Sequence, residues 1–152
     1  MIQTIISMLP VAYVAATAIP LVAIDIKQHR LPNKIVLPMI ALTLLTQLTL
    51  AIWTGAWASL GISVGLGFAV MVLGVVANYY DWVGMGDVKL MTGLTMMLSW
   101  FTVLGAVLLT PISMGLGILV IVSTLLFTRP KKIPLGPAIL ATFIATLTIT
   151  LI

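Results

Sequence analysis

The chain has no cysteine, one histidine and only three acidic residues, all aspartate, among 152 positions. Without cysteine there is no disulfide framework and no thiolate zinc site, so a zinc-knuckle accessory domain is excluded from it. The single His29 lies four residues from Asp25, and this leaves a metal centre short of ligands; neither a metal nor any other cofactor is expected. Charge is scarce as well, at 7% of residues against 62% hydrophobic, with a mean hydropathy of +1.30. That balance excludes a water-soluble globule. The formal charge of +4 does not mark a nucleic-acid binder, because all seven basic residues sit in three short segments at the edges of apolar runs, where they act as topology signals.

The apolar runs set the architecture. Residues 35–80 and 90–128 contain no charged side chain, and runs of this length are more than a soluble core of this size can bury. About 20 residues span one bilayer as a helix, and these runs of Leu, Ile, Val, Ala and Met do not alternate as strands of a barrel would. The charges fall in residues 25–34, 81–89 and 129–132. The positive-inside rule assigns all three clusters to the cytoplasm, and two clusters on one side must be joined by an even number of spans.

Residues 35–80 accommodate two helices with a turn at Trp53-Thr54-Gly55-Ala56-Trp57, and residues 90–128 two tighter ones with a turn within 99–105. One span precedes Asp25 and one follows Pro137. The expectation is an all-α polytopic membrane protein of six transmembrane helices, a single domain over residues 1–152, with both termini extracytoplasmic. Residues 1–24 lack a basic n-region and read as a retained first span rather than a cleaved signal peptide. Pro10, Pro20 and Pro111 fall inside spans, and Gly61, Gly65, Gly67, Gly115 and Gly117 read as small-residue helix-packing positions.

Acidic groups at membrane depth are costly and mark function. Parity puts Asp25 at the cytoplasmic end of the first helix and Asp87 at the cytoplasmic start of the fourth, at similar depth. Two carboxyls that approach each other in a partly dry site share a proton, one acting as base toward water and the other as acid; this is the aspartic-protease arrangement. Gly84 and Gly86 are expected to permit positive φ and to let a substrate backbone approach Asp87. Asn33 is expected to cap the second helix, and Lys89, two positions beyond Asp87, to point away from it and snorkel to head groups or, alternatively, to support the ionised Asp87 electrostatically. Asp81 reads as an interfacial or loop-capping residue, with attraction of a basic substrate segment as the alternative.

The constellation is more specific than its parts. Asp25-Ile26-Lys27-Gln28-His29-Arg30-Leu31-Pro32-Asn33, Gly84-Met85-Gly86-Asp87-Val88-Lys89-Leu90 and Ile133-Pro134-Leu135-Gly136-Pro137, in this order and spacing, resemble the type IV prepilin peptidases. These are intramembrane aspartic proteases of the broad Gly-x-Gly-Asp class. The resemblance implies that Asp25 and Asp87 are the catalytic pair, and that Gly84, Gly86, Lys89, Pro134, Gly136 and Pro137 bind substrate or shape the site. It implies as substrate a prepilin or pseudopilin of type IV pilus or type II secretion systems, cut after a Gly that ends a basic leader, at the cytoplasmic face of the inner membrane.

Longer members carry a cytoplasmic insertion with paired Cys-x-x-Cys motifs that accompanies N-methylation. This chain has no cysteine and no such soluble segment, so it looks like the short, peptidase-only form that serves tight-adherence or Flp-type pili, without methyltransferase activity. Membrane lipid is the other expected partner; no nucleic-acid partner is expected, and the sequence does not set an oligomeric state. Two readings from other classes compete: a small transporter or proton pathway using the acids as relays, and a non-catalytic assembly subunit of a pilus machine.

Overall fold

A computed structural model describes residues 2–28, 31–81, 83–101, 139–141, 143–145 and 148. Four helices account for most of them: α1 (Ile2–Gln28), α2 (Asn33–Thr54), α3 (Trp57–Tyr79) and α4 (Met85–Phe101). The described residues contain no strand. Three of these helices, over Ile2–Ile26, Asn33–Thr54 and Trp57–Tyr79, are long and apolar enough to cross a membrane. The expected fifth span, with Pro111, Gly115 and Gly117, lies outside the described residues, and of the expected sixth only residues 139–141, 143–145 and 148 are described, all helical.

The helix ends follow local chemistry. The α2–α3 turn falls where the paired Trp residues and glycine suggested it: Gly55 takes the left-handed conformation at φ 72°, and its N–H donates to the Ala51 carbonyl at 2.9 Å, closing α2. Trp53 and Trp57 flank the turn, both exposed. The start of α2 departs from expectation. Asn33 is its first helical residue rather than its cap; Pro32 holds the capping position in extended conformation and makes no side-chain cap bond. A proline there has φ already fixed near the required value. Pro10 and Pro20 lie within the continuous α1, and Pro38 within α2.

Burial is distributed as a membrane bundle requires. On α3, Phe68 and Leu73 are exposed and only Ser63 and Gly67 are buried, so its outer face carries apolar side chains into the surroundings. The more polar α4 is the inner element: Thr92–Ser99 are all buried. At 17 residues it is roughly 25 Å long, from a rise of 1.5 Å per residue. Helix α2 packs against α1, α3 and α4, and the most extensive interface is between α3 and α4. A core of Val14, Leu21, Val36, Met39, Leu90, Leu94 and Met97 links α1, α2 and α4, and Ile139, Leu140 and Phe143 join it from the C-terminal helical residues.

The α3–α4 contact is close because glycines remove side chains from it. A Cβ on Gly67 would collide with Met96, and one on Gly74 with Val88. The pairing is antiparallel, with one end of α3 against the far end of α4. Gly61 and Gly65, expected to share this role, instead face open space, while Gly74 performs it. The same interface holds a buried polar node. Gln47 Nε2 donates to the Met96 carbonyl at 2.8 Å, and the Ser63 hydroxyl lies 2.8 Å from Gln47 Oε1 and 2.9 Å from that carbonyl. Each interhelical hydrogen bond of this kind is worth about 0.6 kcal/mol in a membrane protein. Steric closeness therefore dominates, and the node chiefly fixes register.

Gly74→Leu is expected to destabilise the protein by about 1–3 kcal/mol, the usual range for overpacking, whereas Gly61→Leu should stay within about 0.5 kcal/mol of the parent. Thermal unfolding of the purified variants in detergent checks the contrast; equal effects would contradict the assignment of the α3–α4 contact to Gly74.

Candidate active site

Three segments converge at one end of the bundle. The last turns of α1 bring Asp25, the α1–α2 connection brings Leu31, and the start of α4 brings Asp87. Together with Asn33, Gly84, Met85, Gly86 and Lys89 these residues line a cavity of about 500 Å³. Asp25 is 3% exposed and engaged in an interaction of its own. The two carboxylates are close enough to interact electrostatically. The two aspartates, expected at similar depth, line one cavity. A second cavity, of about 350 Å³, is lined by Gln3, Thr4, Ser7, Thr54 and Trp100 among others and contains no ionisable side chain.

Asp87 is placed by helix-start geometry. The Val88 N–H donates to the Gly84 carbonyl at 3.1 Å, the first turn of α4, which makes Asp87 the third helical residue. From there its carboxylate reaches back and accepts a hydrogen bond from the Gly84 N–H, as the acidic member of a capping box does. Capping occupies one oxygen only. Oδ1 is buried and has no hydrogen-bond partner among the described residues. A buried acceptor left unpaired costs on the order of 1–3 kcal/mol, more for a charged group, so a role in capping alone does not account for it.

The glycines work differently from expectation. Neither Gly84 nor Gly86 has positive φ; among described glycines only Gly55 does. Met85 and Gly86 are already helical. The backbone that approaches Gly86 belongs to the chain itself: a Cβ there would lie 2.9 Å from Leu31 Cβ, 3.2 Å from Leu31 N and 3.3 Å from Leu31 O. Gly86 is therefore the seat on which the α1–α2 connection rests. At Gly84 the nearest atom to an added Cβ would be Asp87 Oδ2, at 3.0 Å, and the position is otherwise exposed.

Lys89 lies where the resemblance, and not its spacing from Asp87, put it. It does not point away from the site: it lines the cavity with both aspartates and donates to Asn33 Oδ1 at 3.1 Å. Asn33, read as a cap, serves instead as this partner. Leu31 and Met85 are cavity residues that the sequence reading did not single out, although both lie inside the quoted motifs. Asp81 stands apart, exposed in the turn after α3 with φ 57°, where its N–H donates to the Asn78 carbonyl at 3.0 Å. Asn78 Nδ2 in turn donates to the Val83 carbonyl. Pro134, Gly136 and Pro137, expected near the site, lie outside the described residues. Among the described residues no cluster of three or more His, Cys, Asp or Glu side chains is placed to hold a metal ion.

Fold and site together define a class: a helical bundle with membrane-spanning helices and two carboxylates facing one cavity at one end. In comparison with family models, residues 12–152 match the type IV leader peptidase family. The chain belongs to the type IV leader peptidase family, membrane-embedded proteases of prepilin-type substrates. Comparison with curated proteins and with solved structures gave no match.

Because Gly86 meets backbone rather than the end of a flexible side chain, Gly86→Val is expected to lower stability and activity together, by about 1–3 kcal/mol in the unfolding free energy. Normal unfolding of that variant with activity alone lost would show that the space serves the substrate and not Leu31.

Proposed function

We propose that the protein is an aspartic endopeptidase that removes the basic leader of a prepilin or pseudopilin, cutting after a Gly at the cytoplasmic face of the inner membrane, with Asp25 and Asp87 activating the attacking water. The observation that carries this reading is the cavity shared by two carboxylates, one of which presents a buried, unpaired oxygen. A protease family and a paired-acid site support each other: the family supplies the bond to be cut, and the pair supplies a way to cut it without a nucleophilic side chain.

The chemistry follows from the pairing. In the proposed reaction the pair works with a single proton between its two carboxyls, as two acids facing one partly dry cavity can. The ionised partner takes a proton from water as that water attacks the scissile carbonyl, while the protonated partner hydrogen-bonds the carbonyl oxygen and stabilises the charge that develops there. The proton then passes to the leaving nitrogen, and the pair returns to its starting state. Because the proton belongs to the pair, the two pKa values are macroscopic properties of both residues.

The remaining features fit a single transmembrane peptidase domain over residues 1–152 with six spans and both termini extracytoplasmic. The connection between α1 and α2 and that between α3 and α4 meet at one end of the bundle, as the charge clusters of residues 25–34 and 81–89 require if both face the cytoplasm. The absence of cysteine favours the peptidase-only, tight-adherence or Flp-like form over one that also methylates. A proton pathway is the second reading that acids in a cavity permit. It predicts flux in liposomes and no dependence on a leader peptide.

Incubation of the purified protein with a prepilin in detergent is the test. Asp25→Asn and Asp87→Asn should each lose on the order of 10³-fold or more in kcat, and Asp81→Asn, altered in an exposed turn away from the cavity, should keep wild-type turnover. Cleavage that survives in either of the first two variants would overturn the assignment.

A further inference from the structure

Asp25 and Asp87 stand on helices that share no extensive interface among the described residues: α1 packs on α2, and α2 on α4. The two helices share side chains of one core, Val14 and Leu21 with Leu90 and Leu94, and nearer the carboxyls the beginning of α2 bridges them. At that point the structure shows two links from the α1–α2 segment to α4. One is the steric seat of Leu31 on Gly86. The other is the hydrogen bond from Lys89 Nζ to Asn33 Oδ1, at 3.1 Å, between residues 56 positions apart.

We propose that Lys89 and Asn33 form a clasp across the mouth of the cavity that fixes the separation of the Asp25 and Asp87 carboxyls, making both of them positioning residues for the reaction. The inference rests on the leader-peptidase reading for its effect on catalysis, but the clasp itself is a statement about structure. The seat at Gly86 limits how closely the two segments approach, and it does not prevent them from separating. A hydrogen bond to a charged donor resists separation, and it is directional, so it also limits rotation of the first turn of α2 against α4. Lys89 is half-buried and Asn33 exposed, which leaves the bond at the rim, where it acts on spacing without occupying the reacting centre.

Misplacement of a reacting group by about 1 Å is enough to cost on the order of 10²-fold in rate. Loss of the clasp is thus read in kcat, with little change in substrate affinity. Cleavage of a prepilin in detergent is compared for wild type, Asn33→Leu, Lys89→Met, the double variant and Asn33→Asp. Each of the first two variants is expected to lose about 10-fold in kcat with KM within about 2-fold. The double variant should be no slower than the slower single one, since both remove one bond, and Asn33→Asp, which keeps an acceptor for Lys89, should retain at least about half the wild-type rate. Full activity of Asn33→Leu, or a double variant slowed by the product of the single effects, overturns the proposal.

A second readout separates this inference from the reading it rests on. The chain has no cysteine, so two introduced thiols are the only sites that take a spin label. Labels at Lys34→Cys on α2 and Met85→Cys on α4 report the distance between the two segments by pulsed electron paramagnetic resonance. The clasp requires that distance to lengthen or broaden in Asn33→Leu and Lys89→Met and to stay unchanged in Asn33→Asp. If wild type cuts no prepilin but the distances behave so, the leader-peptidase reading fails and the clasp stands; if the distances do not respond, the clasp fails whatever the activity.

Discussion

Everything at the candidate site depends on the contact between the beginning of α2 and the beginning of α4. Helices α1 and α4 carry the acids but meet chiefly through α2. Where α2 starts, Leu31 rests on Gly86 with no room for a side chain between them, and two residues later Asn33 accepts the Lys89 hydrogen bond. A bundle in lipid gains little from burying apolar surface against itself, so its geometry is set by close packing and a few polar bonds. The α2–α4 contact supplies both within one helical turn on either side, and it does so beside the carboxyls.

The rest of the bundle makes that contact rigid. Helix α4 is held from behind by α3 through Gly67 and Gly74, and its middle is tied to α2 and α3 through the Gln47–Ser63–Met96 node. Because α4 is buried along Thr92–Ser99, it has neighbours on every side to resist a shift. Asp87 inherits that rigidity, since its own position comes from the first turn of α4 and the Gly84 N–H it accepts. The cost is an unpaired buried oxygen, the atom that the proposed reaction offers to the attacking water.

Several of these features were legible in the sequence, and the reason is that they are local or follow from charge. The Trp-Thr-Gly-Ala-Trp turn combines interfacial aromatics with the residue that best tolerates a left-handed cap, and α2 and α3 end and begin there. The common end for Asp25 and Asp87 followed from counting spans between charged clusters, which uses only the cost of charge in lipid. Long-range pairings were not legible. Nothing in the spacing of Asn33 and Lys89 links them, and the glycine at 86 signals a close approach without saying to what. Gly61 and Gly65 carry the same small-residue pattern as Gly67, but which face of α3 turns toward α4 depends on the partner. A usable signal was passed over: Thr92, Gly93, Thr95 and Ser99 make α4 the most polar of the four helices, and in lipid the polar helix belongs inside.

The central claim is that Asp25 and Asp87, 62 positions apart by their numbers, face each other across one cavity while Asp81 does not. Cross-linking tests it directly, because in a chain without cysteine any thiol pair is the introduced one. Membranes containing the Asp25→Cys/Asp87→Cys or the Asp25→Cys/Asp81→Cys variant are treated with a short bifunctional thiol reagent, and linked peptides are read by mass spectrometry. The account predicts linkage in the first variant and none in the second. Linkage of residue 25 to residue 81 with none to residue 87 would contradict it.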